Sequence, residues 1–269
     1  MEATKYRSHH FVLVHGACHG AWSWYKLKPL LESEGHRVTV LDLAGSGTST
    51  KTIYDVRSFT EYNEPLMQRM AVLEADEKVI LVGHSLGGLS LALAVDRFPE
   101  KVYVAVFLAA FLPDTVHLPS YVLDQYFALA PKEAWLDTEF TPYGEVTGKQ
   151  EKILTSMFFG PKFLSLKLYQ LSSREDLELA KILARPSSLF REDLCETEKY
   201  SVHGFGACKK AYIVCKEDQA IGEAYQRWMI ENTGVEYVVE IPGADHMAML
   251  SKVQQLSECL LQIAATYAQ

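Results

Sequence analysis

The stretch from Val79 to Arg97, VILVGHSLGGLSLALAVDR, constrains this chain more than any other. Its first four residues are apolar and mostly β-branched, which predicts a buried strand. Leu86 to Val95 is apolar nearly all round and too long for an ordinary strand, which predicts a buried helix. Between them stands Gly83-His84-Ser85-Leu86-Gly87. A serine on a sharp turn from buried strand to buried helix is lifted clear of the sheet, and glycines on either side leave room for the turn. The motif alone is modest evidence, because three fixed residues at ~7% each recur by chance in roughly one chain in ten of this length. The flanking strand and helix favour Ser85 as a nucleophile over an ordinary glycine-rich turn.

The remaining chain supplies a setting for such a turn. Strands are expected at His10 to Val14, Arg37 to Leu41, Val102 to Ala110, Lys210 to Cys215 and Tyr237 to Ile241. Helices are expected at Trp22 to Glu34, from a Ser58 cap to about Ala75, at Tyr225 to Asn232 and at Met249 to Tyr267. Strands alternating with helices imply an α/β chain with a mostly parallel sheet and helices on both faces. Between about Leu112 and Leu194 the alternation breaks. That stretch reads as mostly helical, without an obvious buried strand, and is dense in aromatics. It is expected to be a helical cap over a pocket, inserted into a core formed by 1–111 and 195–269. The plainer alternative is a set of helices packed on the sheet.

A serine hydroxyl needs a base to take its proton. Of nine histidines, His246 lies just past the last expected strand, where a loop would face the Ser85 turn. His84 is expected to point away from the reacting centre. His15, His19 and His117 are expected near the pocket, and His9, His10, His36 and His203 on the surface or in loops. The base needs a carboxylate to fix its tautomer. Asp218 follows the Lys210 to Cys215 strand and lies between Ser85 and His246 in the chain. That order, Ser85, Asp218, His246, is the one expected of an α/β-hydrolase. Glu217 and, more remotely, Asp114 are rivals, whereas Asp245 is too close to His246 in sequence to orient it. The tetrahedral oxyanion needs two donors. One is expected from the backbone N–H of Leu86 and the other from that of Ala17, with Gly16 keeping the loop open to substrate.

Composition narrows the function. The net charge is −8, so nucleic-acid binding has no electrostatic support. No apolar run reaches the length of a membrane span, and the first residues do not read as a signal peptide. Five cysteines, an odd number without metal-ligand spacing, read as reduced thiols in the cytosol. No phosphate loop, dinucleotide fingerprint or metal cluster is visible, so no cofactor or metal is expected.

The segments HFVLVHGACHGAWSWYKLKPLL, VILVGHSLGG, AVFLAAFLPD, RPSSLF, EDQAIGEAYQRW and GADHMAML together resemble the plant methylesterase family of α/β-hydrolases, over about residues 9 to 265. The resemblance implies hydrolysis of methyl esters of small plant acids by Ser85, Asp218 and His246, with oxyanion donors at Ala17 and Leu86. It implies an acyl pocket at Tyr126, Trp135, Phe140, Met157, Phe158 and Met247. The partner expected is a small-molecule ester, and a homodimer is a possibility. The same family includes hydroxynitrile lyases, which resemble this chain with threonine or asparagine at position 16 and, in some, lysine at 247. That lyase activity is the alternative reaction, and a hormone-binding receptor on a hydrolase fold is the alternative of a different class. Two residues depart from the esterase pattern: Gly45 where alanine is usual and Gly222 where proline is usual. Both are expected to loosen loops near the site.

Overall fold

A computed structural model describes residues 8–147 and 150–268 of the chain. The expected strands form one six-stranded sheet: β1 (His10–Val14), β2 (Arg37–Leu41), β3 (Val79–His84), β4 (Val102–Leu108), β8 (Lys210–Cys215) and β9 (Tyr237–Ile241). Their order is β2-β1-β3-β4-β8-β9, and every neighbouring pair is parallel. Every residue of β1 and β3 is buried, whereas the edge strands β2 and β9 are mostly half-buried, with one exposed residue each. That gradient is why the central strands read as unbroken apolar runs. Flanking the sheet are α1 (Leu27–Ser33), α2 (Glu64–Ala71), α3 (Gly87–Arg97), α6 (Glu223–Thr233) and α7 (Val253–Tyr267). From β1 the chain moves outward to β2, and from β3 it moves outward the other way to β4. The switch point between β1 and β3 opens a crevice at the strands' C-terminal ends, where open α/β sheets bind ligands.

Two expected helices are broken. The Trp22 to Glu34 stretch becomes a 3₁₀ turn, Ala21–Trp24, followed by α1. The Ser58 cap forms as expected, with its hydroxyl accepting from the Glu61 N–H at 3.0 Å. Its helix runs only Phe59–Tyr62 before α2 restarts with Pro65 in its first turn. Proline has no N–H for the preceding turn, so the helix cannot run through.

The insertion between β4 and β8 corrects the sequence reading. It holds α4 (Tyr121–Leu129) and α5 (Arg174–Leu183), but also an antiparallel sheet of β5 (Glu139–Thr147), β6 (Gln150–Phe158) and β7 (Ser187–Ser188). Phe140, Thr141 and Pro142 of β5 are exposed and Tyr143 is buried. A strand held by backbone pairing at the surface leaves no apolar run in the sequence. Of the histidines expected on the surface or in loops, His10 lies in β1 and is buried, and His36 lies in a loop but is also buried. His10 bonds Glu77 and Thr39, and the His36 ring lies edge-on to Phe11.

Candidate active site

The turn after β3 has the geometry its motif requires. Ser85 has φ +56, a left-handed conformation that a non-glycine residue adopts only under constraint. Its N–H donates to the Leu108 carbonyl, and its own carbonyl accepts from Gly88 and Phe111. The glycines make the turn possible by close approach. A Cβ at Gly83 would lie 2.5 Å from Leu91 Cδ1, and one at Gly87 would lie 2.8 Å from the His15 and Val14 carbonyl oxygens.

His246 follows β9, and its Nδ1–H donates to Asp218 Oδ2 at 2.7 Å, with both side chains almost fully buried. The other Asp218 oxygen accepts from the backbone N–H groups of Ala220 (2.7 Å) and Ile221 (2.9 Å). The carboxylate is therefore fixed on both sides, and it assigns the imidazole the tautomer with Nε2 free to accept. The rivals have other partners. Glu217 accepts from the Gly243 N–H, and Asp114 is held by His117 and Asn232. Asp245 accepts four bonds, from Leu171 N, Ser172 Oγ, Met247 N and Ser251 Oγ, and so ties the His246 turn to the insertion.

Ser85 Oγ and His246 Nε2 are not hydrogen-bonded to each other here. Such bonds are often loose without substrate and tighten in the complex. His84 brings the two residues together. Its ring lies 4.5 Å from that of His246, and its Nε2–H donates to the His246 carbonyl at 2.8 Å. Burial holds the His84 pKa well below the usual histidine value. His84 takes the packing and hydrogen-bonding role expected of a histidine that is not the base, but beside the site rather than turned away from it: it braces the turn that carries His246. That contact spans 162 residues in the chain and leaves no local sequence signal.

Gly16 and Ala17 lie on the loop after β1. A Cβ at Gly16 would meet Ser85 Cβ at 2.8 Å and His84 Nδ1 at 3.1 Å, so the loop packs directly against the serine. Neither the Ala17 N–H nor the Leu86 N–H has an acceptor among the described residues. His15 Nδ1–H donates to the Gly16 carbonyl at 2.8 Å, while its Nε2 accepts from the Leu43 N–H at 3.1 Å. Because the Gly16 C=O and Ala17 N–H belong to one planar peptide, His15 orients both. His19 is buried in the same loop, but His117 is half-exposed and stacks on Tyr121, away from this centre.

The expected acyl-pocket residues divide between two cavities. Phe140 and Met157 line one of about 100 Å³, with Phe127, Thr155, Leu189 and Arg191. Tyr126 and Trp135 line another of about 360 Å³, beside Ala220 of the Asp218 turn. The Trp135 ring packs against Tyr126 at 6.0 Å and Phe140 at 5.3 Å, and so joins the two. Phe158 and Met247 line neither cavity, and Met247 is fully buried. Neither of these cavities is lined by Ser85 or His246, so the expected residues are not gathered into one pocket at the serine. Gly45, expected to loosen its loop, has φ +79 and its N–H bonds Ser49 Oγ. Glycine there suits the backbone rather than loosening it.

A parallel sheet, a strained serine turn after β3 and a buried histidine–carboxylate pair from the loops after β9 and β8 together define an α/β-hydrolase. The alpha/beta hydrolase family model matches residues 11–258, and the chain belongs to that family. It is similar to salicylic acid-binding protein 2 from Nicotiana tabacum, with 60% identity covering 96% of this chain and 98% of the relative. It is also similar to methylesterase 1 from Arabidopsis thaliana, with 55% identity covering 96% and 97%. Among solved structures, polyneuridine aldehyde esterase superposes with a TM-score of 0.92 at 47% identity, covering 96% of this chain and 100% of that one.

Proposed function

We propose that the protein is a carboxylic ester hydrolase acting on methyl esters of small plant acids, through an acyl-enzyme on Ser85. The observation that carries this reading is the buried 2.7 Å bond from His246 Nδ1 to Asp218, beside the strained Ser85 turn. It leaves His246 Nε2 as the base. In this mechanism Ser85 Oγ attacks the ester carbonyl carbon and His246 takes the hydroxyl proton. The negative oxygen faces the open N–H groups of Ala17 and Leu86. The tetrahedral adduct then expels methanol, which leaves with the proton from His246. Water, deprotonated by His246, attacks the acyl carbon and releases the acid and Ser85.

Residues 112–194 act as a cap over this centre, and 1–111 with 195–269 form the core. Of the residues expected on the acyl side, Tyr126, Trp135, Phe140 and Met157 line apolar cavities suited to a flat aromatic or oxylipin acid, and Phe158 and Met247 would pack behind them. Methyl salicylate, methyl jasmonate, methyl indole-acetate and an alkaloid methyl ester are the substrates to test. Among the described residues no helix is long and apolar enough to cross a membrane. We place the enzyme in the cytosol, on the support of five unpaired cysteines. The exposed cap side chains Leu129 and Leu136 would suit pairing with a second copy.

Methanol release from these four esters tests the reading. Wild type should turn over at least one of them, and Ser85→Ala should lower that turnover by about 10⁴ or more. The product acid should still bind Ser85→Ala, because other side chains make the pocket. Tight ligand binding by a wild type that hydrolyses no ester would favour a receptor instead.

A further inference from the structure

The residue after Ala17 is strained. Cys18 has φ +60, a left-handed conformation in a side chain other than glycine. Something outside the loop must hold it there, and the cap supplies three contacts. Cys18 Sγ donates to the Met157 carbonyl at 3.4 Å, and the Arg185 N–H donates to the Cys18 carbonyl at 3.1 Å. The third contact runs through His19. The hydroxyl of Tyr169, on the cap, donates to His19 Nε2 at 2.7 Å. His19 Nδ1–H then donates to the Ala17 carbonyl at 2.8 Å.

This chain of two bonds is closed to solvent: Tyr169 and His19 are each 2% exposed and Ala17 is 5% exposed. The planes of the two rings are 14° from parallel with centroids 5.9 Å apart, and Trp22 packs against His19 at 5.2 Å. Burial lowers the His19 pKa to about 4 and pushes that of Tyr169 well up. Both groups therefore stay neutral near pH 7, and the bond directions do not reverse. His15, anchored in the core, fixes the peptide before Ala17. His19, anchored in the cap, fixes the peptide after it.

We propose that Tyr169 and His19 are positioning residues for the oxyanion site, so that the seating of the cap sets the aim of the Ala17 N–H. This rests on the esterase reading above, in which that N–H faces the developing oxyanion. Neither residue touches substrate. Their effect is on a donor whose outright loss costs about 10²–10³ in turnover, so misaiming it should cost about tenfold or more.

Three variants test the chain, with 4-nitrophenyl acetate as substrate and 2,2,2-trifluoroacetophenone as the probe. That ketone forms a hemiketal with an activated serine and places its oxygen in the oxyanion site. Tyr169→Phe removes only the hydroxyl that anchors His19. It should lower kcat about tenfold, leave KM within about twofold, and weaken inhibition by the ketone about as much as it lowers kcat. His19→Leu removes both bonds and should lower kcat further. His19→Asn keeps an N–H near the position of Nδ1, so its kcat should recover to the level of Tyr169→Phe. Adding Tyr169→Phe to His19→Asn should then cost nothing more, since the two residues act in series.

Unchanged kcat and ketone affinity in Tyr169→Phe would overturn the proposal, even if His19→Leu fails to fold. So would equal losses of ketone and salicylate affinity, which would mark a general loss of structure. A wild type that neither hydrolyses the ester nor binds the ketone would overturn the esterase reading and this one together. A wild type that does both, with variants that match it, would overturn only this one.

Discussion

At the scale of single residues, the site is governed by how little space surrounds Ser85. Gly16 is the clearest case, since a methyl group there would overlap Ser85 Cβ at 2.8 Å. Gly16→Ala should therefore push the nucleophile or the loop aside and lower kcat about tenfold or more. The overpacking should cost about 1–3 kcal/mol of stability. Steady-state kinetics and thermal unfolding measure the two effects separately, and full kcat in Gly16→Ala would mean that the loop does not wall in Ser85. The same crowding bears on the lyase alternative. Threonine at 16 has no room without a shift of Ser85, and lysine at 247 would bury an ammonium where Met247 is fully enclosed. The motif residues were legible in sequence because each is forced locally: a glycine by close approach, a serine by its turn, a histidine by its place after a strand. His84 and His19 were less so, because their partners, His246 and Tyr169, lie 162 and 150 residues away.

At the scale of elements, the core was readable and the insertion was not. The central strands advertise themselves through apolar runs buried on both faces, and β3 with α3 appears where its pattern put it. In the small sheet β5 is mostly exposed, β6 buries Leu154, Ser156 and Met157 around a half-buried Thr155, and β7 is two buried serines, so none of the three shows the apolar run that marks a core strand. The start of α6 offers a test at this scale. Gly222 precedes the helix with φ −53, close to the angle proline imposes. A Cβ there would have only the Asp218 carbonyl oxygen within reach, at 4.0 Å. The Gly222 N–H has no acceptor among the described residues. Gly222→Pro should therefore raise stability by about 0.4–1 kcal/mol, by restricting the unfolded chain, and leave kcat unchanged. Urea denaturation checks the first and ester turnover the second. A fall in stability would mean that proline strains the Asp218 turn.

At the scale of the whole molecule, several histidines are buried in the neutral state. Burial lowers the pKa of His15, His19 and His84, the second to about 4 and the third well below the usual value. In the unfolded chain each would titrate near ~6.5. Below that pH the unfolded state binds more protons than the folded one, so stability should fall as pH drops from about 6.5 toward 4. Above about 6.5 these groups should contribute no pH dependence. Melting temperatures measured across pH 4.5 to 8 check this, and a flat profile through the acid half would contradict it. The topology has a consequence of another kind. β4 pairs with β8 although the whole insertion separates them in the chain. Ser85 and the Ala17 loop belong to strands made before that insertion, and Asp218 and His246 to strands made after it. Domains are completed as the chain emerges from the ribosome at ~5–20 residues per second. On the proposed mechanism, a nascent chain therefore displays its serine and its Ala17 loop for some seconds before it has an acid or a base. During that interval, on the same mechanism, it has no means of activating Ser85, and an ester that reaches it would leave intact.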